Sequence, residues 1–227
     1  MPTEILHRND LPLGGFAGLK EYRLVMQPDL FKGKDPVQSW TGLGNFVYLA
    51  DAHFNPNGET KMHSHKEVDI ISIMLDGRIE HKGTLEDGQV LKAGMVQVQR
   101  AGGKGFKHNE INPDDSTNRM LQLWVLPEEA NQETDYKLYQ TKLGQVTQVY
   151  GGPKKQSETI TSHTMIEVAS LSAEQTYQCD KPFIAYVTKG HGTANKLSVK
   201  EGDLIRGESL DFLVLEGADL VVIYLRK

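Results

Sequence analysis

The sequence predicts an all-β chain of two antiparallel barrels, and three observations carry that prediction: short apolar or alternating runs, Gly- and Asp-rich turns between them, and scarce helix signals. In the first half, VDIISIML and RIEH flank Asp76-Gly77, while KGTLE and QVLK flank Asp87-Gly88. Asp-Gly supplies the positive φ angles that type I′ turns require, so both sites read as strand reversals. Further strands are expected from Met95 to Arg100 and from Met120 to Leu126, the latter stopped by Pro127, which has no N–H for a continuing ladder. Residues 128–158, with EEANQETDY and YGGPKKQSE, are polar and rich in Gly, Pro and charge, the texture of a connection. The expected division is therefore an N-terminal barrel over residues 1–130 and a C-terminal one over 131–227. In the second half, turns are expected at Lys189-Gly190, Glu201-Gly202 and Glu216-Gly217 before a last apolar strand, LVVIYL. A weak echo between MLDGRIEH and VTKGHGTA, and between VLKAGMVQV and SVKEGDLI, suggests duplication. Barrels are expected because short sheets must hide their edges.

At 227 residues the chain can bury two modest cores without disulfides or metals for bulk stability. One cysteine, Cys179, excludes an intramolecular disulfide and cysteine-rich zinc modules. Together with an N-terminal run, MPTEILHRNDLPLGGF, that lacks the order of a secretory signal, this points to a reducing compartment, the cytoplasm. No segment has the run of ~18 apolar residues expected of a membrane span. The formal charge of −5 disfavours direct nucleic-acid binding, since a phosphate backbone repels it. The basic pairs Lys154-Lys155 and Arg226-Lys227 read as solvated loop and terminus.

Among eight histidines, two segments set a histidine two residues from another candidate ligand in a strand-like context: His63-Ser64-His65 and His108-Asn109-Glu110. Residues i and i+2 of a strand share a face, so each pair aims two donors at one point. Three imidazoles and a carboxylate form a borderline nitrogen–oxygen set suited to Fe(II), Ni, Cu, Mn, Zn or Co, and leave positions open on a six-coordinate ion. A lone His-x-His is often two polar residues on a strand edge. The second pair, placed after the Gly-rich bend AGGKG, shifts the reading to a metal site. Asp69 and Glu67 share parity with His63 and His65, and Asp69 is placed to orient a ligand imidazole from behind. His81 reads as a satisfied or exposed histidine; His7, His53, His163 and His191 have no partner at ligand spacing. Cys179 reads as structural, because Asp180 would raise its pKa. Trp40 and Trp124 read as core or rim aromatics.

These segments resemble the pirin family. HSHKEVDIISIMLDGRIEHKG is similar to a signature in which His-Pro-His leads through an acidic residue and an apolar strand to a Leu-x-Gly turn and Glu-His. RAGGKGFKHNEIN is similar to the family's Ala-Gly-x-Gly-x-x-His-x-Glu segment, and LWVLPEE to the exit of its N-terminal barrel. The resemblance is densest over residues 58–129. Ser64 replaces the usual proline and Asp69 a commoner glutamate, and neither change removes a ligand.

The resemblance implies a bicupin, two stacked antiparallel β-barrels of jelly-roll type, with one divalent transition metal, Fe(II) first, in the N-terminal barrel. It implies His63, His65, His108 and Glu110 as ligands, and a C-terminal barrel without metal. It further implies a dioxygenase that takes a small aromatic substrate of the quercetin type together with dioxygen. The metal would lower the hydroxyl pKa and orient the reactants, and Glu110 would double as proton acceptor. Two alternatives stand beside it: a metal-dependent regulatory protein acting through protein partners, and a structural or sugar-binding cupin.

Overall fold

A computed structural model describes residues 2–31 and 38–226, so Lys227 of the C-terminal basic pair lies outside the described residues. The chain divides into two compact units, residues 11–140 and residues 1–10 with 141–227. The strands are β1 (Glu4–His7), β2 (Leu13–Phe16), β3 (Leu19–Met26), β4 (Phe46–Phe54), β5 (His63–His65), β6 (Asp69–Asp76), β7 (Arg78–Gly83), β8 (Gln89–Lys92), β9 (Met95–Arg100), β10 (Phe106–Ile111), β11 (Arg119–Val125) and β12 (Asp135–Gln140). They continue as β13 (Gln145–Gly152), β14 (Ser162–Ser172), β15 (Thr176–Cys179), β16 (Phe183–Ala194), β17 (Leu197–Lys200), β18 (Asp203–Gly207) and β19 (Leu210–Leu225). Every strand pairing is antiparallel, and the helical elements are short 3₁₀ turns such as Pro28–Leu30. Among the described residues no helix is long and apolar enough to cross a membrane.

In unit 11–140 a seven-stranded sheet, ordered β12-β9-β6-β11-β4-β3-β2, is accompanied by a four-stranded sheet ordered β5-β10-β7-β8. Their inner faces interdigitate: Leu19, Phe54, Met74 and Met120 of the larger sheet pack with Ile79 and Leu91 of the smaller. Alternation drives this arrangement, since inward apolar residues of each strand need a facing sheet to leave water. The reversal expected at Asp76-Gly77 exists, with Gly77 at φ +70°, but it is a corner between sheets and not a hairpin. Strand β6 pairs with β9 and β11, whereas β7 pairs with β10 and β8. Asp87-Gly88 does close a hairpin, β7 to β8.

The second unit is built on an eight-stranded sheet with the path β1-β18-β16-β19-β14-β13; β15 joins β19 and β17 joins β16. Its core gathers Phe183, Ala185, Leu210, Phe212, Leu220 and Val222, with Tyr177 and Cys179 at the margin. Cys179 is free and buried, and burial pushes its thiol pKa up. Two expected boundaries fall elsewhere. Residues 135–140 pair with β9, and residues 4–7 pair with β18, so this partition departs from a cut at 130/131 at both ends. The expected connection at 128–158 contains β12 and all of β13.

Lys189-Gly190 and Glu216-Gly217 are also not chain reversals. They lie opposite each other inside the long strands β16 and β19, where the register shifts and the ladder bends. Gly190 sits at φ +78°, and a Cβ there would lie 2.0 Å from the Gly217 carbonyl oxygen. Only glycine fits such a position. Gly190→Ala is therefore expected to destabilise the protein by about 2 kcal/mol or more. Urea unfolding of the variant beside wild type checks this, and an unchanged midpoint would refute the bulge as a glycine-dependent bend.

Candidate metal centre

The register of β5 against β10 sets His63 directly opposite His108 and His65 opposite Phe106. Side chains at i and i+2 share a face, so His63, His65, His108 and Glu110 all turn toward the space between the two sheets. The His108 Nε2 atom lies 3.0 Å from Nε2 of His65 and 3.0 Å from Nε2 of His63. The Nδ1 of His63 donates to the Lys61 carbonyl at 2.8 Å, which leaves its Nε2 as a bare lone pair. Two ligand nitrogens at right angles around an ion about 2.1 Å away stand about 3.0 Å apart, against about 3.4 Å at a tetrahedral angle. The observed spacings suit neighbouring corners of an octahedron, so the donor set fits a divalent transition metal by distance and by chemistry.

Burial also prepares these groups. Desolvation, then the neighbouring His63, holds His65 down at about 4. Desolvation followed by His65, His63 and His81 holds His108 at about 2. Both rings are thus neutral at pH 7, the form that binds a metal. Glu110 is 1% exposed and is pushed up to about 7 by burial, against the opposing pull of its hydrogen bonds. Its carboxylate accepts from the Ser72 hydroxyl at 3.4 Å and the Gln122 amide at 3.2 Å. The group of ligand atoms that lie within 4.8 Å of one another contains His63, His65 and His108; Glu110 is not among them, although it lines the same cavity.

That cavity is about 260 Å³ and also touches Phe16, Phe31, Tyr48 and Trp124. The rings of Phe31, Tyr48 and Trp124 lie 5.0 to 5.8 Å apart, and Trp124 meets His65 edge-on at 5.6 Å. Glu21, buried at the wall, accepts from Arg23 at 2.7 Å and from the Tyr48 hydroxyl at 2.8 Å. The Tyr48 pKa is pushed up by burial and by Glu21, so the phenol stays protonated.

Two expectations about supporting carboxylates are corrected. Asp69 does not orient an imidazole: it opens β6 in the seven-stranded sheet and pairs with Arg100, its cross-strand neighbour, at 2.7 Å. Glu67 stands at φ +54° and accepts from the Asn131 backbone N–H. Parity is a property of continuous strand, and the left-handed residue between β5 and β6 interrupts it. His81 is the opposite case. It is fully buried, with its Nε2 2.8 Å from Nδ1 of His108 and 3.3 Å from the Gln99 side-chain nitrogen. The signal for it was alternation in RIEH, which turns His81 inward with Ile79. Trp124 is a cavity wall. His7 has a carboxylate after all, Asp203 at 2.6 Å, 196 residues away.

Residues 34–125, which include all four candidate ligands, match the family model described as Pirin. That segment is pirin-like. The chain is similar to the quercetin 2,3-dioxygenase of Escherichia coli O157:H7, 29% identical over 150 residues, 62% of this chain and 64% of that relative. The chain thus matches just under two thirds of that relative's length. The pirin-like protein of Caulobacter vibrioides is 27% identical over 186 residues, 76% of this chain and 80% of its own. The crystal structure of the bacterial pirin YhhW from Escherichia coli in complex with nickel(II) superposes at a TM-score of 0.84, with 18% identity over 99% of each chain. At that identity the likeness establishes the fold, an antiparallel all-β fold shared with pirins.

The buried carboxyl makes stability depend on pH in a definite direction. Below about 4.5, the ordinary value, Glu110 is protonated in both folded and unfolded chains; above about 7 only the folded chain must bury the charge. Stability owed to the protonated form is therefore lost as pH rises from 4.5 through 7. Glu110→Gln should make the metal-free protein about 3 kcal/mol more stable than wild type at pH 8, with the gap closing toward pH 4.5. Urea unfolding across that range measures it; a gap independent of pH would show that Glu110 is not the buried acid described.

Proposed function

We propose that the protein is a metal-dependent dioxygenase of flavonol-like, quercetin-type substrates, with His63, His65, His108 and Glu110 holding one divalent ion, Fe(II) in the first instance. The observation that carries the reading is the convergence of three imidazole Nε2 atoms beside an aromatic-walled cavity that His63, His65 and Glu110 line. The name of the Escherichia coli relative, quercetin 2,3-dioxygenase, supports the substrate class. A bound divalent ion would act there as a Lewis acid, lowering the pKa of a coordinated hydroxyl and holding both reactants in one coordination sphere.

The chain's own residues supply the rest. Phe31, Tyr48 and Trp124 offer flat faces for a planar aromatic substrate, and they keep bulk water from the imidazoles. Ser72 and Gln122 hold both Glu110 oxygens from the larger sheet, fixing where the carboxylate points. With its pKa near 7, Glu110 is matched to accept a hydroxyl proton at neutral pH and release it again. The same carboxylate, freed of its proton, completes a three-nitrogen, one-oxygen ligand set.

Protein purified without added metal is expected to carry about one transition-metal ion per chain, read by elemental analysis. His108→Ala should lose metal and oxygen uptake together. Glu110→Gln, compared at equal metal loading, should slow flavonol turnover by about 10² to 10⁴ and recover part of the rate at higher pH, where the flavonol ionises unaided. Equal turnover by Glu110→Gln would remove the proton-acceptor role. Absence of oxygen uptake with every flavonol tried would replace catalysis by the regulatory reading, in which the metal state alters a surface that a protein partner reads.

A further inference from the structure

We propose that His81 is a positioning residue of the metal centre: its Nε2 accepts the Nδ1 proton of His108 and so keeps the His108 Nε2 lone pair free for an ion. The inference rests on the reading that His63, His65 and His108 hold a metal. A single proton belongs between His81 Nε2 and His108 Nδ1, which lie 2.8 Å apart with both side chains fully buried. If His108 carries it, His108 Nε2 is bare and faces the two other Nε2 atoms at 3.0 Å. If His81 carries it, neutral His108 must hold its own proton on Nε2, directed into the cluster where the ion would sit. The tautomer of His81 thus decides whether the third ligand exists.

One further feature favours the metal-competent arrangement. The Gln99 side-chain nitrogen is 3.3 Å from the same His81 Nε2, so a second N–H points at that atom and disfavours a proton on it. Gly83 makes the close approach of β7 possible. It lies opposite His108, and a Cβ at that position would stand 2.2 Å from the Lys107 carbonyl oxygen and 3.0 Å from the His108 Cβ.

His63 is fixed differently, by the Lys61 backbone carbonyl. Side-chain substitution can therefore release His108 but not His63. Because His81 is a neutral acceptor, it orients the ligand without adding a second negative charge beside Glu110, which a carboxylate in its place would do.

The test uses Zn(II), which is diamagnetic, and the full chain. Titration calorimetry of Zn(II) into metal-free protein is expected to show about 10- to 100-fold weaker binding for His81→Phe, with His81→Gln within about threefold of wild type because its amide oxygen reaches the place of Nε2. Equal loss in both variants, or no loss in His81→Phe, overturns the assignment. Should His81→Phe fail to fold, ¹⁵N imidazole spectra of Zn(II)-loaded wild type decide: His81 with a bare Nε2 and a protonated Nδ1 upholds the proposal, and a protonated His81 Nε2 overturns it. Failure of wild type to bind Zn(II) at all would instead overturn the metal-centre reading beneath it.

Discussion

Registration of β5 on β10 is the constraint on which the rest of the centre depends. A slip of one residue would turn His63 and His65 to the outer face and leave His108 alone. Strand β5 is three residues long, too short to hold its own register, and the flanking loops do it instead. Thr60 donates its backbone N–H to the Glu110 carbonyl, and its hydroxyl receives the Glu110 N–H at 3.0 Å. The same hydroxyl reaches Asn109 at 3.2 Å. On the other side, the Glu67 N–H is held by the Gly102 carbonyl. The pairing is thus clamped at both ends by residues that are not ligands.

Charge follows the same division of labour between sheets. The larger sheet neutralises its buried carboxylates one by one, Asp69 with Arg100, Asp51 with Arg119 and Glu21 with Arg23. Glu110 is treated differently: its recorded partners, a hydroxyl and an amide, are neutral. A buried carboxylate with neutral hydrogen-bond partners, beside the desolvated neutral imidazoles of His65 and His108, is costly as it stands, and a divalent ion would relieve that cost. Perturbed groups of this kind gather where chemistry is done.

In the unit of residues 1–10 and 141–227 the half-buried carboxylate of Glu167 is likewise held by neutral donors. Glu167 accepts from the Tyr177 hydroxyl at 2.6 Å and from Tyr224 at 2.8 Å. Burial and that carboxylate push both phenols' pKa values up, so they remain donors at any ordinary pH. Among the described residues, no histidine cluster comparable to that of His63, His65 and His108 occurs in this unit. Its long strands β16 and β19 bend where the register shifts around Gly190 and Gly217, and the sheet encloses the core described above.

The order of residues alone carried the all-β class, the strands at Met95 to Arg100 and near Met120 to Leu126, and the grouping of His63, His65 and His108, because strand periodicity and i, i+2 spacing are local properties. It could not separate a turn from a bulge: Lys189-Gly190 and Asp87-Gly88 look alike in composition, and only the partner strand tells a bend within a ladder from a reversal. Parity misplaced Asp69, since one left-handed residue at Glu67 resets the alternation and Arg100, 31 positions away, claims the carboxylate. His81 acquired its place only when β7 and β10 paired, and Phe31, Tyr48, Gln99 and Trp124 joined the site from strands and turns scattered over nearly a hundred positions. Candidate ligands are picked out by spacing along the chain; the orientation, protonation and enclosure of those side chains follow from burial against distant residues, which adjacency in sequence does not encode.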